Sequence, residues 1–148
     1  MAAEALVTLT RRQGYQFEID FGLDTPHVFS DEPPPLGSAQ GPTPNHLLLA
    51  AVANCLSASL TFALSKFKQD PGTLTAVARA TIGRNEANRL RIQGIRVDIH
   101  LERPGDAYQH LDRILDQFEQ FCTVSMSVQQ GIPVAVSVTD GAGRMLKG

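Results

Sequence analysis

The chain has 148 residues, 43% hydrophobic and 19% charged, a balance that fits one folded domain over residues 1–148 and excludes wholesale disorder. With 13 basic and 15 acidic residues the net charge is −2. No strong positive field is present to gather phosphate backbones, and with no tryptophan and few aromatics there is no stacking platform for bases, so nucleic acid is not an expected partner.

The first residues, Met1-Ala2-Ala3-Glu4-Ala5-Leu6, have neither a basic region nor a long apolar core. They do not read as a secretory signal, and a cytoplasmic protein is expected. Leu6 to Thr10 and Tyr15 to Phe21 are predicted strands. The second alternates, with Tyr15, Phe17, Ile19 and Phe21 on one side and Gln16, Glu18 and Asp20 on the other. Gln13-Gly14 between them reads as a hairpin turn, and His27-Val28-Phe29 as a short third strand. Asp31 to Pro44 holds five prolines and two glycines, which excludes regular structure. A connection this long is functional or mobile.

Thr43-Pro44 then marks a helix start, a hydroxyl cap with proline at the first helical position. The helix is predicted to reach about Lys68, ahead of Asp70-Pro71-Gly72. Within it, Leu47 to Leu64 is long enough to raise the question of a membrane span. Asn54, Ser57, Ser59 and Thr61 interrupt that stretch, so it reads as a buried helix with no membrane partner. It is apolar on nearly every face. Such a helix must be covered all round, by its own sheet and by a second chain meeting it at Leu47, Leu48, Val52 and Leu56. Thr73 to Ile82 and Leu90 to Leu101 read as two long strands joined at Gly83 to Arg89, with Gly94 marking a bulge. A second helix is predicted from Pro104 to Phe121 and a short third from Cys122 to Gln130. A last strand follows from Ile132 to Val138, and then a polar, frayed tail from Asp140 to Gly148. The order, β-β-β-α-β-β-α-α-β, is that of an α+β domain. No phosphate-binding glycine loop is present, and no cofactor is expected.

The residues able to carry chemistry are Cys55 and Cys122, 67 positions apart. Two thiols cannot make a four-thiolate zinc site, and the four histidines show no ligand spacing with them, so no metal is expected. Mid-helix, Cys55 reads on its residue type first as a packed small hydrophobe. Cys122 opens a short helix, where exposed amides favour a thiolate. Physical reasoning alone therefore ranks Cys122 as the more acidic thiol.

Gly41-Pro42-Thr43-Pro44-Asn45-His46-Leu47-Leu48-Leu49-Ala50-Ala51-Val52-Ala53-Asn54-Cys55 resembles the first-cysteine signature of the OsmC/Ohr family, the osmotically inducible and organic hydroperoxide resistance proteins. Phe121-Cys122-Thr123-Val124-Ser125 resembles its second-cysteine motif. The resemblance implies an intertwined homodimer around long central helices. It also implies a peroxiredoxin-like thiol peroxidase in oxidative-stress defence. Cys55 would attack a small hydrophobic hydroperoxide, Cys122 would resolve the sulfenic acid, and a thiol reductant not identified by the sequence would close the cycle. Apolar walls are expected from Leu56, Leu60, Phe62 and Val124, with Asn45 at the substrate site. Peroxidases of the family carry an arginine before the long helix and a glutamate ten residues before the first cysteine. Here the latter position is Asn45, and no arginine or lysine stands between Gly22 and Cys55. Arg11 and Arg12 are the candidate thiolate-activating cations, or else solvated hairpin charges. The alternative function is a dimeric thiol protein that binds a small apolar ligand or senses oxidants without turnover.

Overall fold

A computed structural model describes residues 2–148. The chain opens with β1 (Thr8–Gln13), β2 (Gln16–Asp20) and β3 (Val28–Ser30), antiparallel in that order. Gly14 turns the first hairpin at a φ of 49°, a conformation that costs most side chains but not glycine. The alternation in β2 holds: Ile19 is buried, while Glu18 on the other face pairs with Arg12 and with His27 Nδ1, the latter at 2.8 Å. β1 is exposed along its whole length.

The proline-rich connection is organised around one carboxylate. Asp31 is 2% exposed. It accepts hydrogen bonds from the amides of Glu32 (2.8 Å), Ser38 (3.3 Å) and Gln40 (3.1 Å) and from the Ser38 hydroxyl (3.2 Å). The Gln40 amide is the first reason that its carboxyl lies below the usual range; burial opposes, and the Glu32 and Ser38 donors add to the lowering. The segment read as loose is thus held from within.

Thr43 caps α1 (Pro44–Lys66) reciprocally: its hydroxyl accepts from the His46 amide, and the His46 ring accepts from the Thr43 amide. Only Val52, Leu60 and Leu64 of this 23-residue helix are buried. Val52 therefore faces its own chain and is not free to meet another. By length and composition α1 could cross a membrane. β4 (Thr75–Arg84) and β5 (Leu90–His100) form an antiparallel hairpin against α1. Thr81 pairs with Gly94 and Ile82 with Ile92, so Gln93 is the extra residue of the bulge that Gly94 announces.

The helix predicted from Pro104 to Phe121 is broken. A 3-10 turn at Gly105–Ala107 precedes α2 (Leu111–Gln117) and a 3-10 helix at Phe118–Phe121, and α3 (Thr123–Gln129) follows. Tertiary bonds pull the start of this segment out of helix. The Tyr108 hydroxyl donates to the Pro71 carbonyl at 3.2 Å, and the Gln69 side chain bonds both the amide and the carbonyl of Gln109. Tyr108 joins Leu60, Leu64, Ile114 and Phe118 in the core.

The expected last strand is also displaced. Ile132 to Ser137 belong to no ladder among the described residues, and Val134 is 83% exposed. Only β6 (Val138–Thr139) pairs, with β7 (Met145–Lys147). The tail predicted to fray is a hairpin, because Asp140 Oδ1 accepts from the amides of Ala142 and Arg144, both at 2.9 Å.

Two outcomes follow. Leu64, 0% exposed, should cost about 3 kcal/mol on replacement by alanine, read as a lower urea midpoint. Asp31→Asn should speed hydrogen exchange at the Ser38 and Gln40 amides. Because the native Asp31 pKa is depressed, its contribution to stability is present above the ordinary carboxylate range and is lost as pH falls through the native value. The asparagine variant should lack that acid-side dependence.

Candidate functional site

α1 carries Cys55 at its middle, half-exposed, and α3 brings Cys122 to it, fully buried. Cys122 is the N-cap of α3, with φ −82° and ψ 99°, and its Sγ accepts the Ser125 amide at 3.4 Å. Cys55 Sγ accepts the next free donor, the Val124 amide, also at 3.4 Å. Two sulfurs thus occupy positions that a serine or aspartate oxygen fills at most helix starts. The two thiols therefore take consecutive donors at one helix start, the amides of Val124 and Ser125.

Burial pushes the Cys55 thiol up, but the hydrogen bond from Cys122 and the amides of Val124, Ser125 and Thr123 outweigh it, and the net shift is downward. Cys122 moves the other way. Burial raises it, and its bond to Cys55 raises it further; the Ser125 amide and the Ser59 hydroxyl oppose. The order of acidity expected from the helix dipole alone is therefore reversed. The amides of α3 reach Cys55 as well as their own cap, and Cys122, raised, keeps its proton. No cation is among the groups that lower Cys55.

Arg11 and Arg12 are engaged elsewhere in the chain and not with the thiols. Arg11 Nε donates to the Gly14 carbonyl at 2.9 Å, and Arg12 is engaged by Glu18. Asn45 is exposed in the first turn of α1, roughly 15 Å along the axis from Cys55 at ten residues' rise. Leu60 does not wall the site. At 2% exposure it is a core residue, since its position on α1 faces Tyr108 and Phe118. Phe62 is 62% exposed and stands under the Lys66 ammonium, 5.5 Å away, with Phe121 on the other side at 5.9 Å. Val124 contributes its amide to Cys55. Leu56 borders a cleft of about 560 Å³ with Val52, Ile92, Ile95, Val97 and Phe118, and Ser125 and Val128 of α3 line it too. Thr123, Ser125 and Ser59 were not singled out from the sequence. The capping position of Cys122 was the available signal for the first two, since it requires free amides at the next residues. Among the described residues no group of three or more His, Cys, Asp or Glu side chains is placed to hold a metal ion.

Limited alkylation followed by peptide mass mapping should label Cys55 first and at a pH below that of an ordinary thiol. Cys122 should stay protected until the protein is unfolded.

Several solved structures share this architecture. An OsmC-like protein of Vibrio cholerae is 14% identical, with 86% of this chain and 95% of that chain covered at a TM-score of 0.70. The organic hydroperoxide resistance protein OsmC of Legionella pneumophila is 12% identical over 87% and 91%, with a TM-score of 0.65. The organic hydroperoxide resistance protein OhrB of Bacillus subtilis is 16% identical over 87% and 93%, with a TM-score of 0.64. At such identities the likeness is one of fold, the α+β fold of OsmC and Ohr proteins. No curated protein matches the sequence. The family model described as OsmC-like protein matches residues 37–137, a span that runs from the loop before α1 past both cysteines, and the chain belongs to that family.

Proposed function

We propose that this protein is a thiol-dependent reductase of organic hydroperoxides, active in the cytoplasm in defence against oxidative stress. The observation that carries this reading is the paired thiol: a half-exposed Cys55, its pKa lowered, and a buried Cys122, both accepting amides at the start of α3. The Cys55 thiolate attacks the outer peroxide oxygen and the O–O bond breaks. The alkoxide leaves, takes a proton from solvent and departs as alcohol, and Cys55 becomes a sulfenic acid. Cys122 then attacks that sulfur, forming the disulfide and releasing water. An external dithiol reductant restores both thiols. The names of the Legionella and Bacillus relatives support this chemistry.

The working form on this reading is a homodimer. Among the described residues, the sheet of β1, β2 and β3 has little contact with the other strands and helices. Only Val52, Leu60 and Leu64 of α1 are fully buried, and Ile132, Val134 and Val136 are exposed in a segment without a ladder. A second copy satisfies all three at once. It is also the source from which a family-type cation would reach Cys55, because the protomer's own Arg11 and Arg12 lie on the uncovered sheet. A second reading, a protein that binds a small apolar ligand or senses oxidants without turnover, is favoured by the cleft beside α3, where Leu56, Ile95 and Val97 are joined by Gln93, Glu119 and Gln129, and by Asn45.

Stopped-flow reduction of cumene hydroperoxide decides between them. Cys55→Ser should lose at least about a hundredfold in rate, as removal of a nucleophile does. Cys122→Ser should complete one oxidation and stop at the sulfenic acid. Equal peroxide consumption by wild type and Cys55→Ser would reject the enzyme. Sedimentation should give a dimer at micromolar concentration, with an interface above ~2,000 Å²; a stable folded monomer would reject the assembly.

A further inference from the structure

The 3-10 helix before Cys122 has the sequence Phe118-Glu119-Gln120-Phe121. At about three residues per turn its two phenylalanines share one side, yet their surroundings differ. Phe118 joins Leu60 and Leu64 of α1 in the core, while Phe121 is 66% exposed. What holds the exposed ring is a cation. The Lys66 ammonium, in the last turn of α1, stands 5.9 Å from the Phe121 centroid and 5.5 Å from that of Phe62, one turn back on its own helix. Both distances lie in the range at which a ring face attracts a cation. Among the described residues Lys66 forms no ion pair, so the two rings are its partners. Phe121 immediately precedes Cys122, whose amide donates to the Glu119 carbonyl at 3.0 Å and whose sulfur caps α3. Lys66 therefore ties the residue beside Cys122 to α1, the helix that carries Cys55.

We propose that Lys66 is a positioning residue for disulfide closure: by gripping Phe121 it keeps the junction at Cys122 seated on α1, so that the Cys122 sulfur stays within reach of Cys55. This rests on the two-thiol chemistry proposed above. In the step concerned, the Cys122 S–H bond breaks and an S–S bond forms to Cys55. The S–O bond of the Cys55 sulfenic acid breaks, and the departing hydroxide takes the proton from Cys122 to leave as water. The Cys55 sulfur is reduced and the Cys122 sulfur oxidised, so no outside electrons enter. A disulfide tolerates little error in the placing of its two residues, and reaction rates fall steeply with small misplacements of the reacting atoms. Phe118 anchors the junction one turn earlier, in the core; Phe121 and Lys66 anchor it at the residue adjoining Cys122. Lys66 lies eleven residues beyond Cys55 on α1, roughly 16 Å along the axis. It acts on the approach of the sulfurs and not on the charge of either.

The test is a single-turnover experiment with the full chain, reading thiol loss at Cys55 and disulfide formation separately, with dimedone to trap sulfenic acid. Cumene hydroperoxide is one oxidant. Diamide is the other: one thiol adds across its N=N bond, the second thiol displaces it, and it leaves as the hydrazine with two electrons and two protons. Closure is thus read even if the peroxidase reading fails. Lys66→Gln, which removes the cation, should slow closure relative to the first oxidation by about three- to fivefold with both oxidants, the scale of an exposed cation–π contact. Lys66→Arg, which keeps a cation over the rings, should restore it. Phe121→Leu should match Lys66→Gln, and the double variant should be no slower than either alone, since both remove one contact. Lys68→Gln, two residues on, should close as wild type. Slowing with diamide in a protein that consumes no cumene hydroperoxide would uphold the inference and reject the enzyme. Closure at the wild-type rate in Lys66→Gln would overturn the inference, as would failure of Lys66→Arg to restore it.

Discussion

An α-helix begins with amides that its own backbone cannot satisfy, and at the start of α3 this need is met by sulfur. Cys122 takes the Ser125 amide and Cys55 takes that of Val124. Oxygen acceptors would cap the helix more strongly. Sulfur caps it less well but comes out chemically changed: donors that stabilise a helix end also stabilise a thiolate. The register between α1 and α3, the burial of Cys122 and the polarity of the thiol pair all follow from this one junction. A family-type guanidinium is not needed to explain why Cys55 is the more acidic sulfur, because uncharged donors already lower it.

The rest of the chain holds that junction in place. α1 needs a rigid start, given by the Thr43–His46 box and Pro44, and an apolar flank, given by Leu60 and Leu64 against Tyr108, Ile114 and Phe118. The connection before it is tied by Asp31, whose own amide donates to the Pro42 carbonyl at 3.1 Å. The segment from Pro104 to Phe121 gives up helical continuity where Tyr108 and Gln109 fasten it to Pro71 and Gln69, in the connection after α1. That breakage places Phe118 in the core and leaves Cys122 at a fresh helix start. The surfaces that remain open, on the first sheet, on α1 and along Ile132 to Ser137, are those the proposed second copy would close.

Features set by local chemistry were legible in the sequence. The helix start at Thr43-Pro44, the hairpin at Gly14, the bulge beside Gly94 and the two cysteines each depend on residues next to one another. Features set by contacts between distant residues were not. The Asp31 cage, the break before α2 and the meeting of Cys55 with the start of α3 join positions that no periodicity links. Leu60 and Leu56 look alike in sequence, both leucines on an apolar helix, yet one fills the core and the other borders a cleft, because only tertiary packing decides which side of α1 is covered. The tail looked too polar to order itself. Asp140 gave it a turn through one carboxylate oxygen, a signal visible in the sequence but outweighed by composition.

The central claim is that amide donors and Cys122 hold Cys55 as the acidic thiol. Its most direct test is an ultraviolet thiolate titration of the native protein, with Cys122→Ala and Cys122→Ser beside it. The account predicts a first thiol that ionises below the ordinary cysteine range, belongs to Cys55, rises in Cys122→Ala and stays low in Cys122→Ser, whose hydroxyl still donates. A Cys55 that ionises at or above the ordinary range, or that is indifferent to both substitutions, would contradict it.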